Sequence, residues 1–325
     1  MKRPVVFSLA VAAICGIFIF FAVSAMTCSS TAVGTASINA KPAETAAVFM
    51  TTDISPEGLM AVYNALGVEP AGRVAVKLSI GEPPNSNYLR PALIKELVQS
   101  VNGTIVETNT AYGGSRASTA MHRQVAIDHG FTDIAEVDIL DESGSLSIPV
   151  QSGAVLRENL VGAHFINYDY YVVLSHFKGH QMAGFGGAIK NISIGIASAE
   201  GKLLIHAGGG RTDLHPRDSF LDSMAEAGKS VVDSLNGNIL YINVMNRLSV
   251  DCDCNGFPAG PEMHDIGILS SLDPVALDQA CVDLVYAAQG GASLIKRMEL
   301  LNGKRTIDHG TEIGLGSKAY NLIKL

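Results

Sequence analysis

The stretch YYVVLSHFKGHQMAGFGGAIKNISIG, residues 170–195, decides the fold. Tyr170–Leu174 is an unbroken apolar run, the pattern of a strand buried on both faces. It empties into Ser175-His176-Phe177-Lys178-Gly179-His180, then into the small-residue run Ala183–Ala188 and Ile189-Lys190-Asn191. Two histidines, two lysines and four glycines after a strand are a poor recipe for packing alone. Ligand sites of α/β sheets lie beyond strand ends, so this segment is expected to form half of a site.

Working outward, the flanks alternate strands with helices. Ala46–Met50, Arg73–Ile80, Thr104–Thr108 and Glu136–Leu140 read as strands. Between them, Ser55-Pro56 opens a helix that Gly67 ends, Pro91 opens a second, and a third runs from Thr119 to His129. Residues 147–150 and 154–156 predict a short hairpin. Downstream come a helix over Phe220–Leu235, strands at Ile239–Val244 and Ile266–Leu269, a helix opened by Asp273-Pro274, and two shorter helices. This order predicts an α/β fold, a mostly parallel sheet with helices on both faces, in a single domain over 46–325.

A formal net charge of −8 and the lack of basic runs beyond the N-terminus argue against a nucleic-acid partner. Residues 1–25 stand apart. Lys2-Arg3, the apolar run Val5–Val23 and Ser24-Ala25 have the charged start, apolar middle and small-residue exit of an export signal. The run is close to the roughly 20 residues of a spanning helix, so an uncleaved membrane anchor over residues 4–23 is the second expectation. Cys28, after Ala25-Met26-Thr27, makes a poor lipoprotein site. All three readings put the folded part outside the cytoplasm, periplasmic or extracellular. Residues 26–45, rich in Ser, Thr, Ala and Gly, read as a linker.

Three strand-end loops gather the chemistry-bearing residues: Glu107, Asn109, Tyr112 and Arg116; then His176, Lys178, His180 and Lys190; then Asn246, Asp251, Cys252, Asp253, Cys254 and His264. In a parallel sheet these loops open on one edge and can converge. His176 and His180, four apart, have metal-ligand spacing if helical, although Gly179 disfavours a helix; loop histidines bonded to backbone are the plain alternative. Cys252 and Cys254 could hold one soft metal, zinc or iron first. A disulfide between them would close a very small ring and is not expected. Cys281 reads as a core residue. Gly186 and Gly187, with Asn191, could cradle an anion or cofactor, or simply pack close to the sheet. Lys178, Lys190 and His176 are the candidates for proton transfer or anion stabilisation. His206, His215 and His309 look isolated.

The strings SHFKGH (175–180), GFGGAIKNISIG (184–195), VMNRLSVDCDC (244–254) and DIGILSSLDPVALDQACVDLVY (265–286) resemble the domain of unknown function 362 family over about residues 46–325. Its members are often labelled iron–sulfur centre proteins, and the family is similar in outline to nickel-dependent lactate racemases. Many members carry an inserted ferredoxin-like segment with two four-cysteine runs. This sequence has no cysteine between Cys28 and Cys252, so no ferredoxin-type cluster is expected, and two thiolates fall short of the four a usual cluster needs. The expectation is an exported protein, enzymatic or not, whose strand-end site binds a metal ion or a small anionic molecule. The alternatives are a non-catalytic ligand-binding protein and a thiol redox protein using Cys252 and Cys254.

Overall fold

The structure, a computed structural model, describes residues 45–151, 153–210 and 215–325; the expected export signal and nearly all of the linker lie outside them. In chain order the strands are β1 (Ala46–Thr51), β2 (Val74–Lys77), β3 (Thr104–Glu107), β4 (Val137–Ile139), β5 (Ser145–Pro149), β6 (Glu158–Gly162), β7 (Tyr170–His176), β8 (Lys178–His180), β9 (Gly184–Gly186), β10 (Ile239–Met245), β11 (Gly267–Ser271) and β12 (Tyr320–Lys324). The helices are α1 (Pro56–Ala65), α2 (Pro91–Ser100), α3 (Thr119–Asp128), α4 (Ala188–Ser193), α5 (Ala199–His206), α6 (Pro216–Ser234), α7 (Pro274–Ala287), α8 (Ala292–Leu300) and α9 (Arg305–Glu312). No helix among the described residues is long and apolar enough to cross a membrane.

Eight strands form the main sheet in the order β12-β1-β11-β10-β7-β2-β3-β4. Pairing is parallel from β10 through β4 and between β1 and β12, while β11 runs against both of its neighbours. The strand at the centre explains the apolar run of residues 170–174. Side chains of a strand alternate faces. Tyr170, Val172 and Leu174 pack with Leu59 and Val62 of α1, Leu97 of α2 and Val125 of α3. Tyr171 and Val173 pack on the other face with Ile189 and Ile192 of α4, Val231 of α6 and Ala280 of α7. Each fully buried large apolar side chain contributes roughly 1.5–3 kcal/mol, so a strand apolar on both faces is held by two cores.

The helix starts follow the local signals. Ser55 Oγ accepts from Gly58 N at 3.0 Å at the start of α1. Asp273 accepts from Val275 N and Ala276 N at 2.8 and 2.9 Å at the start of α7.

Four elements differ from expectation. The strand over 73–80 stops at Lys77, because Ile80 N turns aside to donate to the Glu107 carboxylate. The hairpin pairs β5 with β6, and residues 154–156 are not its second arm; their amides donate to the Glu226 carboxylate instead. The glycine run after β7 is no plain loop but a small antiparallel hairpin, Lys178 opposite Gly186 and His180 opposite Gly184. The C-terminal edge strand β12 has little alternation to reveal it: it is half-buried or exposed throughout.

The connections fix where a ligand can sit. From β2 the chain moves outward to β3 and β4; from β7, the other neighbour of β2, it moves the opposite way to β10. The order therefore reverses between β2 and β7, and a crevice opens beyond the C-terminal ends of these two strands.

Candidate functional site

At that crevice lies a cavity of about 130 Å³, lined by residues from β2, β3, β7, the β8–β9 hairpin, α4, α5 and the 251–264 loop. Lys77 is the last residue of β2 and is buried. Its Nζ donates to Glu107 Oε2, at the end of β3, at 2.8 Å. Glu107 also meets Arg116 Nη1 at 3.5 Å, and Arg116 Nε donates to Glu82 Oε2 at 2.9 Å. These two cations and two carboxylates neutralise each other out of water. Burial alone would raise Glu107, but Lys77, His122 and Arg116 hold it down at about 2.

Asp253 is the second buried anchor. Its carboxylate accepts from His176 Nδ1 and from Lys178 Nζ, both at 2.9 Å. Its backbone oxygen accepts from Glu82 N at 2.8 Å, tying the cysteine loop to the β2 loop. Burial opposes its ionisation, yet His176 and Lys178 keep it well below the usual carboxylate range. His176 Nε2 also donates to Asn246 O at 2.7 Å, so both ring nitrogens are taken. His176 in this geometry is a holder of Asp253, with no lone pair for a metal and no free proton for a ligand.

Asn191 straps the switch point: its amide nitrogen donates to Lys77 O, Leu174 O and Ser175 Oγ at 3.2, 3.3 and 3.0 Å. The two glycines serve α4. A Cβ on Gly187 would lie 2.2 Å from Asp278 Oδ1, and Asp278 accepts from Ala188 N and Ile189 N at 2.7 and 3.0 Å. A Cβ on Gly186 would lie 3.3 Å from Lys190 Cδ. The glycines thus admit the Asp278 carboxylate and the stem of Lys190. Lys190, in the first turn of α4, lines the cavity with no ion pair or hydrogen bond to its amine among the described residues. Burial, then Lys178 and Lys77, push its ammonium down to about 7, against the pull of Asp253.

His180 Nδ1 accepts from Ala183 N at 3.0 Å and Met182 N at 3.3 Å. Burial, with Lys190 and Lys178 nearby, keeps the ring neutral by pushing its pKa well down. A neutral ring whose Nδ1 accepts carries its proton on Nε2, and such a ring is a donor.

Cys252 and Cys254 are joined in a disulfide, contrary to the sequence expectation. The reason is local: Asn255 N donates to Cys252 O at 2.9 Å, and this turn sets the two Cα atoms 5.2 Å apart, within the span a disulfide bridges. Ligand atoms of His180, Cys252 and Cys254 lie within 4.8 Å of one another, a group that could hold a metal ion. That use and the disulfide exclude each other, since only thiolates bind metal.

The structure gathers Glu107, Tyr112, Arg116, His176, Lys178, His180, Lys190, Cys252 and Cys254 at this cavity, and leaves Asn109, Asn246, Asp251, Asp253 and His264 out of its lining. Sequence reading misses Lys77, Lys202 and His206. Lys202 Nζ donates to Asn109 O and Ala197 O, both at 2.8 Å, and burial pushes it down to about 7. His206 Nδ1 donates to Lys202 O at 2.6 Å, leaving Nε2 with a lone pair. Two signals point to them: Lys77 interrupts the apolar run RVAVKLSI, and Lys202 and His206 share a helix face at a spacing of four. His215 and His309 are structural: one caps α6, and the other meets Glu226 and Glu312 at 3.1 Å.

A mostly parallel α/β sheet with a cationic cavity at its switch point is the class that fold and site define. The chain belongs to the family described as Domain of unknown function (DUF362), which matches residues 74–283. No curated protein matches the sequence. Among solved structures, the chain is similar to the lactate racemase apoprotein from Thermoanaerobacterium thermosaccharolyticum. That match has 16% identity and a TM-score of 0.43, over 73% of this chain and 56% of that one. It is also similar to a protein from Thermotoga maritima, at 12% identity and a TM-score of 0.37, over 76% of this chain and 58% of that one. The chain spans little more than half the length of either.

Proposed function

We propose that this protein binds a small anionic molecule in the cavity at the β2–β7 switch point, with Lys190 as the countercharge. One observation carries the reading. Of the cations lining the cavity, Lys77, Arg116 and Lys178 have carboxylate partners and Lys202 is held by oxygens; Lys190 has neither among the described residues. An anion would relieve the repulsion that Lys190 feels from Lys178 and Lys77. The Nε2–H of His180 adds a donor on the same lining.

Calorimetry with inorganic phosphate and with pyruvate tests this. Lys190→Met removes a charge-assisted hydrogen bond to the anion and should weaken binding about ten- to a hundredfold; unchanged affinity overturns the reading. A bound anion strengthens the hold of Lys190 on its proton, so binding takes up protons at pH 7–8, visible as a buffer-dependent heat.

Metal binding is the second reading, favoured by the approach of His180, Cys252 and Cys254. It needs reduced thiols and a reoriented His180 ring. Elemental analysis after anaerobic reduction decides it: stoichiometric zinc or iron that vanishes in the Cys252→Ser, Cys254→Ser variant supports the site. Two free thiols without metal sink it. We also place the folded domain outside the cytoplasm; the residue 1–25 pattern supports this, and a disulfide suits an oxidising compartment. Recovery of the protein from the cytosol with Met1 intact would count against it.

A further inference from the structure

Resting on the anion-site reading, we propose that Lys190 is a nucleophile that condenses with a small aldehyde or ketone carrying a carboxylate or phosphate, forming an imine. The first ground is the state of the amine. Lys77, Lys178 and Lys202 all present Nζ to oxygen acceptors, which occupy their protons and fix their positions. The amine of Lys190 is held by none of the described residues and lines the cavity. Gly186 gives its stem room: any side chain there would start 3.3 Å from Lys190 Cδ.

The second ground is the neighbours. An amine attacks a carbonyl only as the free base. Burial and the charges of Lys178, Lys77 and Lys202 bring Lys190 to about 7, so near neutral pH about half is free base, whereas an ordinary lysine is almost wholly ammonium. Two histidines that can assist, one as a proton acceptor and one as a hydrogen-bond donor, line the same cavity. His206 donates from Nδ1 to Lys202 O and is kept neutral by burial, so its Nε2 can accept a proton. His180, whose Nδ1 accepts from Ala183 N, presents its Nε2–H as a hydrogen-bond donor to the substrate oxygen.

The step balances without oxidant or reductant. The Lys190 nitrogen bonds to the carbonyl carbon. The carbonyl C–O bond breaks as both amine protons pass to its oxygen, relayed through His206 Nε2, while the Nε2–H of His180 hydrogen-bonds that oxygen, which leaves as water. One proton taken up from solvent, equivalent to the one Lys190 gave up on becoming the free base, charges the imine nitrogen, and the protonated imine keeps the positive charge that the ligand's anionic group needs nearby. Paired cations cannot do this chemistry, because their protons are committed to oxygen acceptors.

The full chain is incubated with pyruvate or glyoxylate and sodium cyanoborohydride, which reduces an imine and spares a disulfide. Intact mass and peptide mapping follow. One reduced adduct per chain on Lys190 is expected, formed at pH 7 about a hundredfold faster than on any solvent-facing lysine. Lys190→Arg should lose it, and Lys95→Arg should keep it. Adducts spread evenly over exposed lysines, or an adduct that survives Lys190→Arg, overturn the proposal. If Lys190→Arg fails to fold, the peptide map of the unaltered chain decides alone. Calorimetry separates the two readings: pyruvate that binds without forming an adduct sinks the imine and spares the anion site. Absence of both binding and adduct sinks both.

Discussion

On the wall built by β2 and β3, Lys77 and Arg116 share Glu107 and Glu82 at 2.8–3.5 Å, and every charge is answered. On the wall built by α4 and the β8–β9 hairpin, Lys190 has no answer among the described residues and His180 offers an unshared N–H. Both walls carry cations; the first buries all of its charged groups, whereas on the second Lys190 is half-buried beside a buried His180. The difference is who supplies the counterion. The first wall is complete within the fold and acts as frame; the second, on the function proposed above, is completed by a ligand. Electrostatic cost supports the proposed anion site: a half-buried cation unanswered by any described residue is retained against its desolvation penalty.

The sharpest way to break that contrast is to remove a counterion from the finished wall. Glu107→Ala strands Lys77 and Arg116 without their shared carboxylate. A loss of about 3–5 kcal/mol is expected in denaturant unfolding, the usual consequence of leaving a buried charge alone. The same wall sets an acid limit. Glu107 is held at about 2, below its ordinary value, so its contribution is present above about pH 4.5 and is lost as pH falls toward 2. A loss below about 1 kcal/mol in Glu107→Ala would mean that water reaches this wall and that the two walls are alike.

The second wall depends on Asp278, which holds the first turn of α4 through Ala188 N and Ile189 N. Burial raises Asp278 to about 6, against the pull of those amides and of Asn243. A carboxyl whose folded pKa is raised gives stability below its unfolded value, and that stability fades as pH rises through about 6. The span corresponds to on the order of 2–3 kcal/mol. Unfolding measured from pH 4 to pH 7 should show this decline in the unaltered chain. Asp278→Asn should flatten it; an unchanged slope would remove Asp278 as its source.

The Cys252–Cys254 bridge lines the same cavity. A loop this short constrains the unfolded chain little, so reduction should cost about 1.5 kcal/mol. A change in midpoint several times larger would mean that reduction also releases Asp253 from His176 and Lys178.

How much of this is legible in the sequence depends on the range of the interaction. β7 and β10 are readable because a strand between two cores must be apolar at nearly every position, and both are buried throughout. The parallel order follows from alternation with helices. β12 is not readable: an edge strand half in water has no such constraint. The convergence of three loops is readable from topology, and the cavity gathers residues from all three. The division of labour among those residues is not. His176 looks like a ligand in SHFKGH, and only the fold brings Asp253 and Asn246 to its two nitrogens across some 70 residues of chain. His206 looks isolated because its partners, the Lys202 carbonyl and the Phe220 ring stacked at 4.9 Å, are features of helix packing. Ring size argues against the disulfide, whereas the turn around Asp253 sets its geometry.

The smallest expected effect on stability is the most telling about the comparison. Lys190→Met keeps the stem that fills the space beside Gly186 and deletes a charge that none of the described residues answers. A partnered buried lysine cannot be treated so; Lys77→Met would orphan Glu107. For Lys190 the change should stay within about 0.5 kcal/mol of the unaltered chain, or stabilise it, since the substitution removes repulsion from Lys178, Lys77 and Lys202 together with the desolvation cost. Binding of phosphate and pyruvate should fall in the same variant. A site residue of this kind separates stability from binding, and a structural one moves them together. If Lys190→Met destabilises the protein as strongly as Glu107→Ala, Lys190 belongs to the frame, and the anion it was proposed to meet loses its main support.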